Sequence, residues 1–457
     1  MKISVMKYPP LYLVGALMVS LLPATANDGA AIVSKIADPE IRAGVEAAIN
    51  QNVLPAATQK YYPGFFEITA DGGFFGGGAS WPGLDSWQMS GAFLLLGRTQ
   101  LVLDYFEFVR ASQRQDGAIP FAIFPGNTPA EKHLGGLKYP QDLFTYQPPK
   151  RAGVPATAEE TRSWIGLFVH WEPKANPLSR LGTICYILTA SEIYAHTRDA
   201  AWLRERLASI KAAATEALGH RSDNGLISGS GFYTELPPRY GWDGITQCYT
   251  IHAFRELAKL CDEAGDGPGA AAWSAHAAEL TQAFTAAFWR DDHYAEYVHA
   301  ERGVVDRHGL SDVNWAVVAF GIADGEKLKV LWPRLLQEPG FHPGNMPTMT
   351  VSKPFSYEPW EYCEPLSFEM TIPQLNDVAA MGRVWYLEAL ACRRMQATER
   401  LVETTRLVCR AAAGGYWRER YHPQPDGTVV PSGAQKYCEY AAVLTQVVLS
   451  NPSVFCR

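Results

Sequence analysis

Helical segments follow one another along this chain, and the links between them alternate between very short and very long. Apolar residues recur with a helical period over 38–52, 86–96, 98–113, 178–196, 199–219, 244–264, 268–288, 311–321, 324–337, 374–394, 396–411 and 436–449, while convincing runs of alternating strand are rare. The links Leu96-Gly97-Arg98, Thr197-Arg198, Gly265-Asp266-Gly267, Ala323-Asp324 and Met395-Gln396 are short enough to fold each flanking pair into an antiparallel hairpin. The connectors 114–177, 220–243, 289–310, 338–373 and 412–435 are far longer. If every hairpin turns at one end of the molecule, all the long connectors emerge at the other. The first and last helices are left over, and they can pair to close a ring. The expected fold is therefore all-α, an (α/α)6 toroid of six helical hairpins with its long loops on one face. Its inner helices should be apolar nearly all round and its outer ones amphipathic. Single cores ordinarily split beyond roughly 250–300 residues, so two helical domains divided near 220–243 are the competing arrangement. No low-complexity linker marks that division.

The N-terminus reads as an address. Lys2 and Lys7 precede the apolar run 11–22, and Ala24-Thr25-Ala26 sets small residues where a signal peptidase cuts. The expectation is a secretory signal peptide over 1–26 and a single toroid catalytic domain over 27–457. The apolar run is too short to span roughly 30 Å of hydrocarbon as a helix. Asn27, in place of a cysteine, argues against lipid attachment. The product is expected in the periplasm or the medium, with no membrane association after cleavage. Disulfides are permitted there. Cys185, Cys248, Cys261, Cys363, Cys392, Cys409, Cys438 and Cys456 show no C-x-x-C spacing and no neighbouring histidine pair, which argues against a zinc cage and leaves pairing open.

Lys plus Arg number 40 against 47 Asp plus Glu, a net charge of -7, so the chain has no broad cationic field for nucleic acid. Charged residues are 19% and aromatics 12% of the sequence, a mixture that suits a neutral, hydroxyl-rich partner. Loops carried by a rigid scaffold are where functional groups concentrate, and these connectors hold a marked share of the Trp, Tyr, Asp and Glu. Aromatic faces stack on the C–H faces of sugars, and carboxylates bind their hydroxyls. Cleaving a glycosidic bond takes two carboxyl groups, one to protonate the leaving oxygen and one to assist attack at the anomeric carbon. The expected partner is thus a carbohydrate. Oligomeric state is not legible.

Three segments stand out. The first runs from Gly72 through Trp81-Pro82-Gly83-Leu84-Asp85-Ser86-Trp87, where Asp85 or Ser86 would cap the following helix. Its glycines lack the strand-turn-helix setting of a nucleotide loop. The second is Tyr233-Thr234-Glu235-Leu236-Pro237-Pro238-Arg239-Tyr240-Gly241-Trp242-Asp243-Gly244, before the helix that holds Gln247. Asp243 there could be a cap with a low pKa or an acid raised by apolar surroundings. The third is Tyr416-Trp417-Arg418-Glu419-Arg420-Tyr421-His422-Pro423, with Asp426-Gly427 beyond it; an ordinary salt bridge competes with chemistry at Glu419. Further carboxylates punctuate the connectors at Glu172, Glu358, Glu361 and Glu364. His170, His252 and His422 form no sequence-close metal set, so no metal ligand is assigned.

Together these segments resemble the six-hairpin glycosidases, in particular glycoside hydrolase family 63 α-glucosidases and family 37 trehalases. The opening hairpin with Asp85-Ser86 and Gln113-Arg114-Gln115-Asp116-Gly117, then Gly241-Trp242-Asp243, then Glu419-Arg420-Tyr421-His422-Pro423, follow the family order along nearly the whole chain. The resemblance implies an inverting hydrolase of an α-linked di- or oligosaccharide, with Asp243 as general acid and Glu419 as the base that activates water. Trp81, Asp85, Trp87, Arg239, Trp242, Gln247, Trp360, Glu361, Trp417 and Tyr421 are the expected substrate-binding set. No cofactor is implied. Family 63 relatives can hold a structural calcium, but no loop of spaced Asp and Asn here matches one. Leu84 stands where these families place Trp, and Arg239-Tyr240 where they place Glu-Ser, which leaves the sugar open. An α-L-rhamnosidase-like hydrolase, a toroid polysaccharide lyase acting on uronic-acid glycans and a catalytically silent sugar-binding protein are the alternatives.

Overall fold

The computed structural model describes residues 28–58, 62, 64–71, 80–125, 141–146, 163–168, 179–229, 237–362 and 377–456. The expected signal peptide, the glycines at 72–78, His170, Glu172, Cys363 and Glu364 lie outside the described residues. All twelve helical segments are present: α1 Pro39–Ala47, continued by a π-helical turn at Ala48–Val53, α2 Leu84–Leu95, α3 Thr99–Ala111, α4 Ser179–Thr197, α5 Ala200–Leu218, α6 Gly244–Glu263, α7 Gly267–Phe288, α8 Asp312–Ala319, α9 Gly325–Gln337, α10 Gly382–Arg394, α11 Thr398–Ala411 and α12 Cys438–Leu449.

The even-numbered helices form the inner ring. Neighbours pack in the order α2, α4, α6, α8, α10, α12 and back to α2, which closes the barrel. α12 is buried along its whole length, whereas α9 buries only Leu331 and Leu335 against the ring and leaves a polar face outward. α1 packs beside α12 and α11, so the first and last helices complete the sixth pair. At the hairpin end each tight link places one residue in the left-handed region: Gly97, Arg198, Gly265, Gly321 and Gln396. That conformation reverses a helix within a few residues.

Most helix boundaries fall within about two residues of the sequence expectation, and two of the differences have a visible cause. α8 stops at Ala319 because Gly321 turns left-handed (φ 61°), and Arg255 Nη1 donates to the freed carbonyls of Phe320 (3.0 Å) and Gly321 (3.1 Å). α10 begins at Gly382, not near 374, because the backbone before it is engaged in lateral pairing: Ala380 bridges both Met349 and Tyr421.

The connectors at the opposite end carry small antiparallel sheets. β1 (Ala122–Pro125), β3 (Ser163–Leu167) and β2 (Gln141–Thr145) form one sheet in that order. β4 (Trp242–Asp243), β5 (Tyr297–His299) and β6 (Gly303–Val305) form a second, and β7 (Arg418–Pro423) pairs with β8 (Val429–Gln435) as a hairpin. Single bridges stitch neighbouring connectors together, Ser311 to Val351, Met349 to Ala380 and Ala380 to Tyr421. No described helix is long and apolar enough to cross a membrane. The described cysteines are unpaired, and all but the half-buried Cys456 are buried.

Candidate active site

Every inner helix enters from a long connector, so all six inner N-termini face one mouth. Helix dipoles there favour carboxylates. The first turn of each inner helix, or its cap, bears a charged side chain: Asp85, Arg180, Asp243, Asp312, Arg383 and Glu439.

Asp243 caps α6 and has no exposed surface. Its Oδ1 accepts from the Ile245 amide (3.2 Å) and from Arg239 Nη1 (3.1 Å), and its Oδ2 accepts from the Thr246 hydroxyl (3.0 Å). Arg239 is equally buried. Its Nε donates to Glu296 (2.8 Å), and Nη1 and Nη2 donate to Asp312 (3.2 and 2.9 Å). Burial opposes the guanidinium charge, but Asp312, Glu296 and Asp243 outweigh it and hold Arg239 well above its ordinary pKa. Glu296 in turn accepts from His308 Nδ1 and from the Tyr357 hydroxyl. Burial alone would raise its carboxyl, yet Arg239 and His308 bring it down to about 2. Leaving any of these buried charges unpaired would cost several kcal/mol.

Glu361 closes the far side of this cluster. It accepts from Tyr297 Oη (2.7 Å), Arg307 Nη2 (3.0 Å) and His308 Nε2 (3.1 Å). The indole of the adjacent Trp360 donates to Glu358 (2.8 Å), and the guanidiniums of Arg302 and Arg307 lie 4.2 and 4.9 Å from its ring centroid.

Glu419 lies on β7, where a register shift between Arg418 and Arg420 turns it against β8. Its Oε2 accepts from the Ala434 amide (3.0 Å), and its Oε1 pairs with Arg420 (2.9 Å). Gly433 faces this carboxylate with a φ of 72°, and a Cβ there would collide with Oε2. Asp85 belongs to a neighbouring group. The helix starts at Leu84 with Gly83 at its cap, so Asp85 is not the capping residue, and its Oδ1 accepts from Tyr437 (2.7 Å). Arg383 reaches 3.8 Å from Asp85 while pairing with Glu439. Burial, with Asp85 and then Glu419 nearby, holds the Tyr437 hydroxyl well above its ordinary value.

The structure thus divides the expected site residues. Asp85, Asp243, Glu361 and Glu419 stand at the mouth. The bridges from Ser311 to Val351, Met349 to Ala380 and Ala380 to Tyr421 join the Asp312 connector to the strand bearing Glu419. Arg239 is at the mouth too, but its nitrogens serve the protein's own carboxylates. Several other expected binders make contacts within the fold. Trp417 is fully buried and donates to Val408 O (2.8 Å), and Tyr421 donates to Ala411 O (2.7 Å). Gln247 braces the Ile227 backbone from both ends of its amide, and Trp87 packs edge-on to Tyr249 and Tyr386 inside the barrel. Trp81 lies edge-on to Phe121, and Trp242 donates to Ser222 (3.1 Å). His252 stacks on Phe320, and His422 contacts Ser432. Glu296, His308, Asp312, Tyr357, Arg383 and Glu439 join the mouth without having stood out in the sequence. Asp312 and Glu439 could have been found by looking for a charge at the start of every inner helix, whereas Arg383 lies well inside the expected 374–394 segment and nothing local marks Glu296 or His308. Among the described residues no group of three or more His, Cys, Asp or Glu is arranged to hold a metal.

Residues 239–437, a little under half of the chain, match the model of the mannosylglycerate hydrolase MGH1-like glycoside hydrolase domain. That segment is similar to a glycoside hydrolase domain. Among solved structures, the chain is similar to the family 63 mannosylglycerate hydrolase from Thermus thermophilus in complex with glucose, at TM-score 0.60 and 11% identity, covering 86% of this chain and 98% of that one. It is also similar to the rhamnosidase from Klebsiella oxytoca with rhamnose bound, at TM-score 0.56 and 12% identity, covering 91% and 64%. The family 78 rhamnosidase of Bacillus sp. GL1 matches at TM-score 0.50 and 16% identity over 90% of this chain, which spans only 35% of that protein. These likenesses establish the (α/α)6 fold. No curated protein sequence matches the chain.

Proposed function

We propose that this protein is an exported glycoside hydrolase that cleaves an α-linked di- or oligosaccharide with inversion, using Asp243 as general acid and Glu419 as general base. The observation that supports this reading is the separate anchoring of the two carboxyl groups at one mouth. Asp243 is fixed by the cap of α6 and by Arg239, Glu419 by the β7–β8 hairpin, and the connectors between them are bridged. An inverting site needs its carboxyl groups roughly 6.5–9.5 Å apart, with sugar and water between them. Asp243 donates its proton to the glycosidic oxygen as that bond breaks. Glu419 takes a proton from water as the water attacks the anomeric carbon from the opposite face. Asp85 binds a hydroxyl at the rim.

Product analysis by proton NMR tests the reading. The panel is trehalose, α-glucobioses, α-mannosylglycerate, α-rhamnosides and uronic-acid oligosaccharides. Release of a sugar with inverted anomeric configuration is the expected result. Retained configuration removes the assigned mechanism, and an unsaturated uronate product replaces hydrolysis by elimination.

A further inference from the structure

His308 lies four residues before Asp312 in the connector that feeds α8, with about 1% of its side chain exposed. Its two ring nitrogens meet two different carboxylates, Nδ1 facing Glu296 and Nε2 facing Glu361. Only an imidazolium donates from both nitrogens. Tyr357 stacks flat on the ring, with centroids 3.7 Å apart and planes 6° from parallel, and the same tyrosine donates its hydroxyl to Glu296. Glu296 then accepts from Arg239, which holds Asp243.

We propose that His308 is a positioning residue for the Asp243 carboxyl, clamping Glu296 and Glu361 from its two ring nitrogens and so fixing the Arg239 guanidinium between Glu296 and the acid. The inference rests on the assignment of Asp243 as general acid. Its physical basis is charge balance in a buried space. Asp243, Glu296, Asp312 and Glu361 are four carboxyl groups, against which stand Arg239, Arg307 and the imidazolium. With Asp243 protonated, as the acid must be before it donates, three minus three leaves no surplus charge; without the imidazolium, three minus two leaves one negative charge. The uncompensated charge would sit on Glu296 and Glu361 and draw Arg239 away from Asp243. Burial works against the imidazolium, but Glu296 and Glu361 outweigh it and lift His308 to about 9, in keeping with a ring that stays charged at neutral pH.

A substrate that needs no proton donor separates positioning from general damage. The wild type, His308→Asn and Tyr357→Phe are compared on α-D-glucosyl, α-D-mannosyl and α-L-rhamnosyl fluorides and on disaccharides of the same sugars. Fluoride leaves without an acid. The expected result for His308→Asn is a fall in kcat of about a hundredfold on the disaccharide, the lower range for a general acid, with kcat on the fluoride within about threefold and KM little changed. Tyr357→Phe keeps the stacked ring and should show the same pattern at smaller size. Because the asparagine variant leaves two buried carboxylates less well paired, its folding is checked by thermal unfolding. Nitrogen-15 NMR of the wild-type imidazole at pH 7 gives an arm independent of any variant, and a neutral ring there overturns the proposal. Equal losses on fluoride and disaccharide overturn it as well, while leaving the hydrolase reading intact. A wild type inert towards every fluoride and disaccharide overturns that reading and the proposal together.

Discussion

At the hairpin end of the toroid the chain reverses within a few residues, and each reversal is set by one left-handed residue and local backbone hydrogen bonds. At the mouth end the connectors are long, laterally bridged and filled with buried ions, and few of their contacts are local in sequence. Arg239 alone joins carboxylates 4, 57 and 73 residues away. The hairpin end also has a groove of about 650 Å³, whose lining includes His252, Arg255, Glu256, Lys259 and Arg394, but there the inner helices end, so their N-termini lie at the other face. One end therefore sets the architecture through backbone conformation, whereas the other gives up stability to arrange charge.

If that division of labour is right, substitutions at the mouth should remove activity and those at the hairpin end should move only stability. The largest effects are expected at the two carboxyls. Asp243→Asn and Glu419→Gln should each lower turnover by about a thousandfold or more, as loss of an acid or base does, with thermal unfolding nearly unchanged. Substantial activity in either variant on a confirmed substrate removes that assignment. Arg239→Met should destabilise the fold by about 3–5 kcal/mol, because it leaves three buried carboxylates without their shared cation; chemical denaturation measures this. Gly433→Ala should cost about a hundredfold in kcat, the scale of a misplacement near 1 Å, since its Cβ would displace Glu419.

The mouth should also respond to pH in a way the hairpin end does not. Glu296, lowered from 4.5 to about 2, contributes stability that is present above pH 4.5 and lost as pH falls towards 2. His308, raised from 6.5 to about 9, contributes stability that is complete below pH 6.5 and lost as pH rises through 9. Both contributions are therefore complete between about pH 4.5 and 6.5. A scan of Tm against pH should decline on both sides of that window, and the alkaline decline should be shallower in His308→Asn. The smallest effects belong to the tight links. Gly265→Ala should cost about 1 kcal/mol, and Gln396→Gly should gain about 0.5–1 kcal/mol, both through the left-handed backbone alone. Denaturation midpoints check the two, and any change in kcat would break the contrast between the ends.

Much of the scaffold was legible because its determinants are local. Helical periodicity located the twelve segments, and short links containing Gly97, Gly265 or the pair Met395-Gln396 declared the hairpins. The start of α10 was not legible, because Ala380 is tied to Met349 and Tyr421, partners that no window around 380 contains. At the site, Asp243 and Glu419 were legible as carboxylates in aromatic settings at the ends of long connectors. Trp417 and Tyr421 looked the same on that criterion, yet their polar atoms are satisfied by nearby backbone carbonyls in the wall of the toroid.

The order of helices, the ring they close and the end at which the long connectors gather are written in the amino-acid sequence, because turn chemistry and periodicity act over a few residues. Which charges meet is a property of the packed molecule. The pairing of Arg239 with Asp243, Glu296 and Asp312, and the placing of His308 between Glu296 and Glu361, arise when separate hairpins pack side by side. A buried ion takes whichever partner that packing brings within reach, and its distance along the chain has no bearing on the choice.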